Sequence, residues 1–181
     1  MIRQVPVPPS LTSPEAMAVT LSAPSAADAD EFVEEVRQSR ALHHPWIDAP
    51  DTVERYAVYL ERAGRQDQGA YLIRHNACGG LVGFVNVNNI VRGALRSGYL
   101  GYAAFVSHGG RGLMTEGLRA VTEAAFGPLG LHRVEANIQP ANHRSIDLVR
   151  RLGFEQEGFS RRYLWVDGDW RDHERWALLN E

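Results

Sequence analysis

The first chemical signal in this chain is a cluster of three glycines at the start of a helix, Gly109-Gly110-Arg111-Gly112-Leu113-Met114-Thr115-Glu116. Downstream, Met114, Leu118, Val121 and Ala125 recur at i, i+4, i+7 and i+11, one apolar stripe of a helix. A glycine loop between a strand and a helix aims several free N–H groups, and the positive end of the helix dipole, at one spot. That spot suits a phosphate. Two nucleotide patterns are excluded. No Gly-Lys-Ser/Thr occurs anywhere, and G-x-G-x-x-G from Gly110 meets Thr115 where its third glycine belongs. The remaining pattern, G-x-G-[LM]-x-x-E, reads either as an anion cradle or as an ordinary surface turn.

Elements on both sides must hold that loop in place. Residues 97–106 (SGYLGYAAFV) read as the strand before it, and Gly127-Pro128 ends the helix after it. Val134, Ala136 and Ile138 alternate with Glu135, Asn137 and Gln139, a half-buried strand that Pro140 terminates. Asn142-His143-Arg144-Ser145 opens another helix, closed at Leu152-Gly153-Phe154 with glycine just past its end. Earlier in the chain a strand is expected near 18–21, then a helix capped by Ser25 with Phe32, Val33 and Val36 on its apolar face. A second helix runs from Thr52 to Gly64. Residues 70–75 and 81–87 read as a hairpin, and 88–96 as a crossover. Near the end, 163–166 and 170–178 flank Asp167-Gly168, a two-residue hairpin turn. Residues 1–17, with four prolines, read as an extended arm. Residues 18–181 then form a single α+β domain around a mixed, mostly antiparallel sheet.

Composition narrows the function. With 181 residues, 44% hydrophobic and 23% charged, the chain is an ordinary globular domain with room for a sizeable core. A net charge of −3 argues against a nucleic-acid-binding face. The single cysteine, Cys78, excludes a disulfide framework and a cysteine-based zinc site, suits a reducing compartment, and reads as an inert thiol. His43-His44-Pro45 lacks the spacing of metal ligands, so no metal is expected. The proline-rich start has no apolar run resembling a signal or membrane segment, and a cytoplasmic location is expected.

Taken together, Gly110-x-Gly112, Asn142-x-x-Ser145 and Leu152-Gly153-Phe154 resemble the acetyl-CoA site of the GNAT N-acetyltransferases. Within that superfamily, IVRG (90–93), GYLGY (98–102), RGLMTEGL (111–118), LHR (131–133), NHRS (142–145), RLGFEQEGF (151–159) and DGDWRDH (167–173) are similar to the RimJ/RimL branch. That branch acetylates the N-terminal α-amine of ribosomal proteins. The similarity runs over about residues 20–179 and is dense from 83 onward. It implies the GNAT fold, in which two central strands splay apart, with acetyl-CoA as cosubstrate and an amine as acceptor. A ribosomal protein N-terminus is the most specific acceptor it implies. A small-molecule amine such as a polyamine or antibiotic, or an acetyl-CoA-binding module without catalysis, are the alternatives. Monomer and homodimer both fit.

The resemblance also assigns roles. The N–H groups of Gly109, Gly110, Arg111, Gly112, Leu113, Met114 and Thr115 would hold the pyrophosphate. Pantetheine would pair with the strand edge at Ala104 and Val106, where a backbone N–H stabilises the oxyanion. Asn142 would contact the cofactor. Ser145 is the hydroxyl left for the departing thiolate, because the family's tyrosine four residues further on is Val149 here. Glu116 and Glu135 are the carboxylates available as a base, although Glu116 in a first helical turn equally suits a dipole role. Ser107 stands where the family often has Gln or Arg, while Asp172 and His173 match a stretch near the acceptor end. Trp46 and Arg92 read either as acceptor-side or as structural residues.

Overall fold

The computed structural model describes residues 17–181. The arm expected over 1–17 lies, apart from Met17, outside the described residues. The chain runs β1 (Val19–Ser22), α1 (Ala29–Gln38), α2 (Arg40–His43), α3 (Val53–Ala63), β2 (Gly69–His75), β3 (Leu81–Val91) and β4 (Ser97–Ala104). It continues with α4 (Leu113–Phe126), β5 (Arg133–Ile138), α5 (His143–Arg151), β6 (Glu155–Val166) and β7 (Asp169–Leu179). Seven strands form one sheet in the order β1-β2-β3-β4-β5-β7-β6. Neighbours are antiparallel except β4 and β5, which are parallel. The mixed, mostly antiparallel α+β sheet is therefore the observed one.

Strand alternation creates two cores, one on each face of the sheet. In β2, Tyr71 and Ile73 meet Leu118 and Val121 of α4 and Ile146 and Val149 of α5 in one cluster. Ala70 and Leu72 turn the other way, toward Phe32 and Val36 of α1 and Tyr56 and Tyr59 of α3. Phe32 is the hub of that second cluster, its ring centroid 4.8 Å from Tyr56 and 5.2 Å from Phe84. Capping fixes where the helices start. The Arg55 N–H donates to Thr52 Oγ1 at 3.3 Å, and the Ser145 N–H donates to Asn142 Oδ1 at 3.2 Å.

Two expectations are corrected here. Residues 88–96 are not a crossover, because β3 continues to Val91 and pairs antiparallel with β4. Asn89, at φ 52°, absorbs a bulge between Asn88 and Val91 that carries the polar pair through the strand. The last hairpin is also longer than its apolar part, since β6 begins at Glu155. Its first half is polar and exposed, so only the ladder with β7 makes it a strand.

Helix α4 lies close on β2 because Gly117 has no side chain. A Cβ there would stand 2.7 and 2.8 Å from Ile73 Cγ2 and Cγ1, and Ile73 is fully buried. Alanine improves helix propensity by about 1 kcal/mol, whereas overpacking of this kind costs about 1–3 kcal/mol. Gly117→Ala should therefore lower the thermal unfolding midpoint by a few degrees, as read by circular dichroism. An unchanged or raised midpoint would show that Ile73 yields freely.

Candidate active site

β4 and β5 pair only from Ser97↔Arg133 to Leu100↔Ala136. Past that point β4 stays with β3 as far as Gly83↔Ala104, and β5 stays with β7 as far as Ile138↔Glu174. The two central strands thus part, and a cleft of about 1230 Å³ opens between and below them. The Phe105 N–H donates to Val82 O at 2.8 Å, on the β3 side. Alternation along the strand then turns the backbone amides of Tyr102 and Ala104 toward the gap. His43 Nε2 meets Ala104 O there at 2.8 Å.

The glycine loop forms the mouth of this cleft. Gly110 and Gly112 have φ of +75° and +76°, a region that side-chain-bearing residues rarely adopt. Gly112 is the N-cap of α4, and the Glu116 N–H donates back to Gly112 O at 3.1 Å. The N–H groups of Leu113, Met114 and Thr115 precede that first intrahelical bond and have no partner within the helix. Arg111 is exposed on the same loop.

Inside the cleft two hydroxyls meet. Tyr102 Oη and Ser145 Oγ are 2.6 Å apart, joining β4 to the first turn of α5. Burial pushes the Tyr102 phenol up to about 12, so it remains a proton donor across the working pH range. The asparagine cap holds Ser145 from the backbone side. Tyr102 was not among the expected site residues. Its alternation with Leu100 places it on the α5 face of the sheet, but nothing local points to a serine 43 residues away.

Two buried histidines share this space and stay neutral. His43 Nε2 must carry the proton that Ala104 O accepts, which leaves Nδ1 unprotonated, buried and, among the described residues, without a protein partner. His173 Nδ1 donates to Arg171 O at 2.9 Å, so its Nε2 holds the lone pair. Burial holds both imidazoles below their usual value. Among the described residues, Asn137 Oδ1 and Gln139 Nε2 on the β5 wall also lack a protein partner.

Most expected residues line this cleft. Ala104, Gly109, Gly110, Arg111, Gly112, Leu113, Met114, Thr115, Asn142 and Ser145 all do, together with Trp46 and His173. Three do not. The Val106 N–H is taken by Ser39 Oγ at 2.9 Å, on the far side of the strand end. Glu116 turns toward β1, where its Oε1 accepts from the Val19 N–H at 3.3 Å. Glu135 is engaged by Arg133 Nε at 2.8 Å, and the same guanidinium also holds Glu157. Ser107 donates to Glu35 Oε2 at 2.8 Å, and Arg92 donates to Leu129 O at 3.1 Å, which makes Arg92 a structural residue.

A family model described as "Acetyltransferase (GNAT) domain" matches residues 18–155, which hold the splayed strands and the glycine loop. The chain belongs to the GNAT acetyltransferases. It is an N-acetyltransferase of the RimJ/RimL-like branch. The probable N-acetyltransferase YjcK of Bacillus subtilis is 36% identical over 127 residues, 70% of either chain. The ribosomal protein uS5-alanine N-acetyltransferase of Escherichia coli is 45% identical over 98 residues, which is 54% of this chain and 50% of that one. Among solved structures, Mycobacterium smegmatis RimJ in complex with CoA-disulfide has a TM-score of 0.80 at 29% identity, covering 89% of this chain and 81% of its own. No helix among the described residues of this GNAT enzyme is long and apolar enough to cross a membrane.

The neutral histidines make stability depend on pH. Below the ordinary imidazole value of about 6.5, the unfolded chain takes up protons that folded His43 and His173 refuse. Stability is therefore full above that value and falls as pH drops below it. The thermal midpoint should fall between pH 7.5 and 5.5, and a His43→Gln, His173→Gln double variant should show a shallower slope. Equal slopes would assign the pH dependence to other groups.

Proposed function

We propose that this N-acetyltransferase binds acetyl-CoA in the β4/β5 cleft and acetylates the N-terminal α-amine of a protein, with a ribosomal protein terminus as the acceptor class. The observation that carries the reading is the Tyr102–Ser145 hydroxyl pair set inside the splay, behind the glycine loop. The N–H groups of the loop and first turn of α4 hold the pyrophosphate, with Arg111 adding charge. Pantetheine runs along the inner edge of β4, with the amides of Tyr102 and Ala104 facing it. Val106, bonded to Ser39, takes no part in that edge.

The neutral amine attacks the thioester carbonyl, and the C–N bond forms. Negative charge gathers on the carbonyl oxygen, where an inward N–H of β4 stabilises it. As the C–S bond breaks, Ser145 donates a hydrogen bond to the departing sulfur while Tyr102 donates to Ser145 Oγ. A thiol near pKa 8.5 leaves readily as a thiolate so held, and it takes its proton from solvent afterwards. The proton lost by nitrogen goes to the free Nε2 of His173, the base we assign in place of Glu116 and Glu135.

The α-amine is the acceptor that so modest a base can serve. At pH 7.5 about a third of an α-amine is neutral, against about one in a thousand for a lysine side chain. The similarity to the uS5-alanine acetyltransferase supports the same choice.

Acetyl-CoA at 100 times its Kd should stabilise the fold by about 2.7 kcal/mol, seen as a raised thermal midpoint, with NAD and ATP giving little shift. No shift would remove the cosubstrate assignment. Ser145→Ala should lower kcat roughly 10²-fold with little change in acetyl-CoA affinity, and Tyr102→Phe should lower it less. Peptides with a free N-terminal Ala or Ser should be acetylated, and capping that terminus should abolish turnover even when a lysine remains. Faster turnover of capped lysine peptides or of polyamines would overturn the acceptor class and leave acetyl transfer standing.

A further inference from the structure

At the edge of the cleft, which His108 lines, the β2–β3 turn and the residue before the glycine loop bring three metal-ligating side chains together. His75, Cys78 and His108 each offer one ligand atom, and these atoms lie within 4.8 Å of one another. Spacing alone expects no metal here, because His108 stands 30 residues from Cys78. The fold supplies the third ligand.

We propose that His75, Cys78 and His108 form a binding site for a borderline-soft divalent cation, Zn²⁺ foremost. The distances agree with tetrahedral coordination. His75 Nδ1 lies 3.3 Å and His108 Nε2 3.5 Å from Cys78 Sγ. Zn–S near 2.3 Å and Zn–N near 2.05 Å at the tetrahedral angle set an N···S edge of about 3.5 Å. Both sulfur-to-nitrogen separations thus already match what one ion would impose, and all three ligand atoms lie within 4.8 Å of one another.

The tautomer of His108 is the one a metal requires. Ser107 Oγ donates to Glu35 Oε2 at 2.8 Å and so spends its only proton there. Its oxygen, 3.0 Å from His108 Nδ1, must then accept from that nitrogen. The lone pair of His108 is left on Nε2, the atom that faces Cys78. A carboxylate orienting a ligand histidine through an intermediary is the outer-shell arrangement that fixes ring orientation at metal sites and raises ligand basicity.

The surroundings leave room for the ring and the ion. The turn is closed by the His75 N–H to Gly80 O at 2.9 Å and the Gly79 N–H to His75 O at 2.7 Å, which fixes His75 and Cys78 on one side. A Cβ on Gly80 would stand 3.0 Å from His108 Cε1, so glycine lets that ring lie against the turn. Cys78 is exposed, giving an ion an entry path and a fourth position for solvent. Thiolate plus imidazole favours Zn²⁺ or Co²⁺ over Mg²⁺. Such an ion would tie the β2–β3 turn to the start of the glycine loop.

The test uses the full chain, stripped with chelator and kept reduced, and titrated with Co²⁺. The expected result is a near-ultraviolet thiolate-to-Co²⁺ charge-transfer band with intense visible bands of tetrahedral geometry, saturating at one equivalent and bleached by Zn²⁺ but not by Mg²⁺. Cys78→Ser should abolish the charge-transfer band. Ser107→Ala keeps all three ligands and should weaken Co²⁺ binding roughly tenfold or more. His132→Ala, an exposed histidine elsewhere, should leave the titration unchanged. A wild-type chain without the charge-transfer band overturns the proposal. So does a band that persists unaltered in His108→Asn and Ser107→Ala, since it would report an isolated thiol. None of these readings depends on acetyl transfer.

Discussion

Everything in this molecule is arranged around the parting of β4 and β5. Buried backbone N–H and C=O groups must be paired, so two strands that abandon each other need other partners. Each keeps its outer neighbour, β3 for β4 and β7 for β5, beyond the last shared pair at Leu100↔Ala136. On the inner edge of β4 the partner comes from the opposite layer, where His43 holds Ala104 O. Just past the strand, the almost fully buried Ser39 holds the Val106 N–H. The junction of α1 and α2 thus secures the end of β4. Only from such an anchored end can the glycine loop leave at a fixed angle and α4 return over β2, pressed close at Gly117.

The chemistry of the cleft follows from what this arrangement keeps out of it. The two candidate carboxylates are drawn into the scaffold, Glu116 by the first strand and Glu135 by Arg133. The groups that line the cleft include the hydroxyls of Tyr102 and Ser145 and the neutral imidazoles of His43 and His173. At the mouth, the glycine loop and first turn of α4 present the N–H groups of Leu113, Met114 and Thr115, with Arg111 exposed beside them. Oriented donors suit acyl transfer, because such donors act more strongly where water is excluded. The acidic face of α1 has its own partners, with Arg74 bonding Asp28 at 2.6 Å and Glu31 at 2.9 Å across to β2.

The amino-acid sequence determined the features that depend on near neighbours. Gly110 and Gly112 mark the loop because the backbone there turns left-handed. Thr52 and Asn142 mark helix starts because their side chains reach an N–H three residues on. Asp167-Gly168 marks a hairpin, and both residues have positive φ. Alternation along β5 and the 3.6-residue stripe of α4 carry burial in their own periods. Local cues of this kind, together with the family's motifs, were enough for the fold and for the glycine loop and the start of α5 that line the cleft.

Tertiary structure decided whatever depended on which faces and ends meet. The first half of β6 is a strand because β7 pairs with it, whatever its polarity. Glu135 lies next in sequence to the cleft-lining Ala136, yet alternation and Arg133 turn it away. Tyr102 meets Ser145, and His108 meets Cys78, across 43 and 30 residues. Neither pairing leaves a spacing signature. A side chain's type and period record its neighbours a few residues away, whereas contact across the sheet is set by strand register, the face each strand presents and the point where β4 and β5 separate.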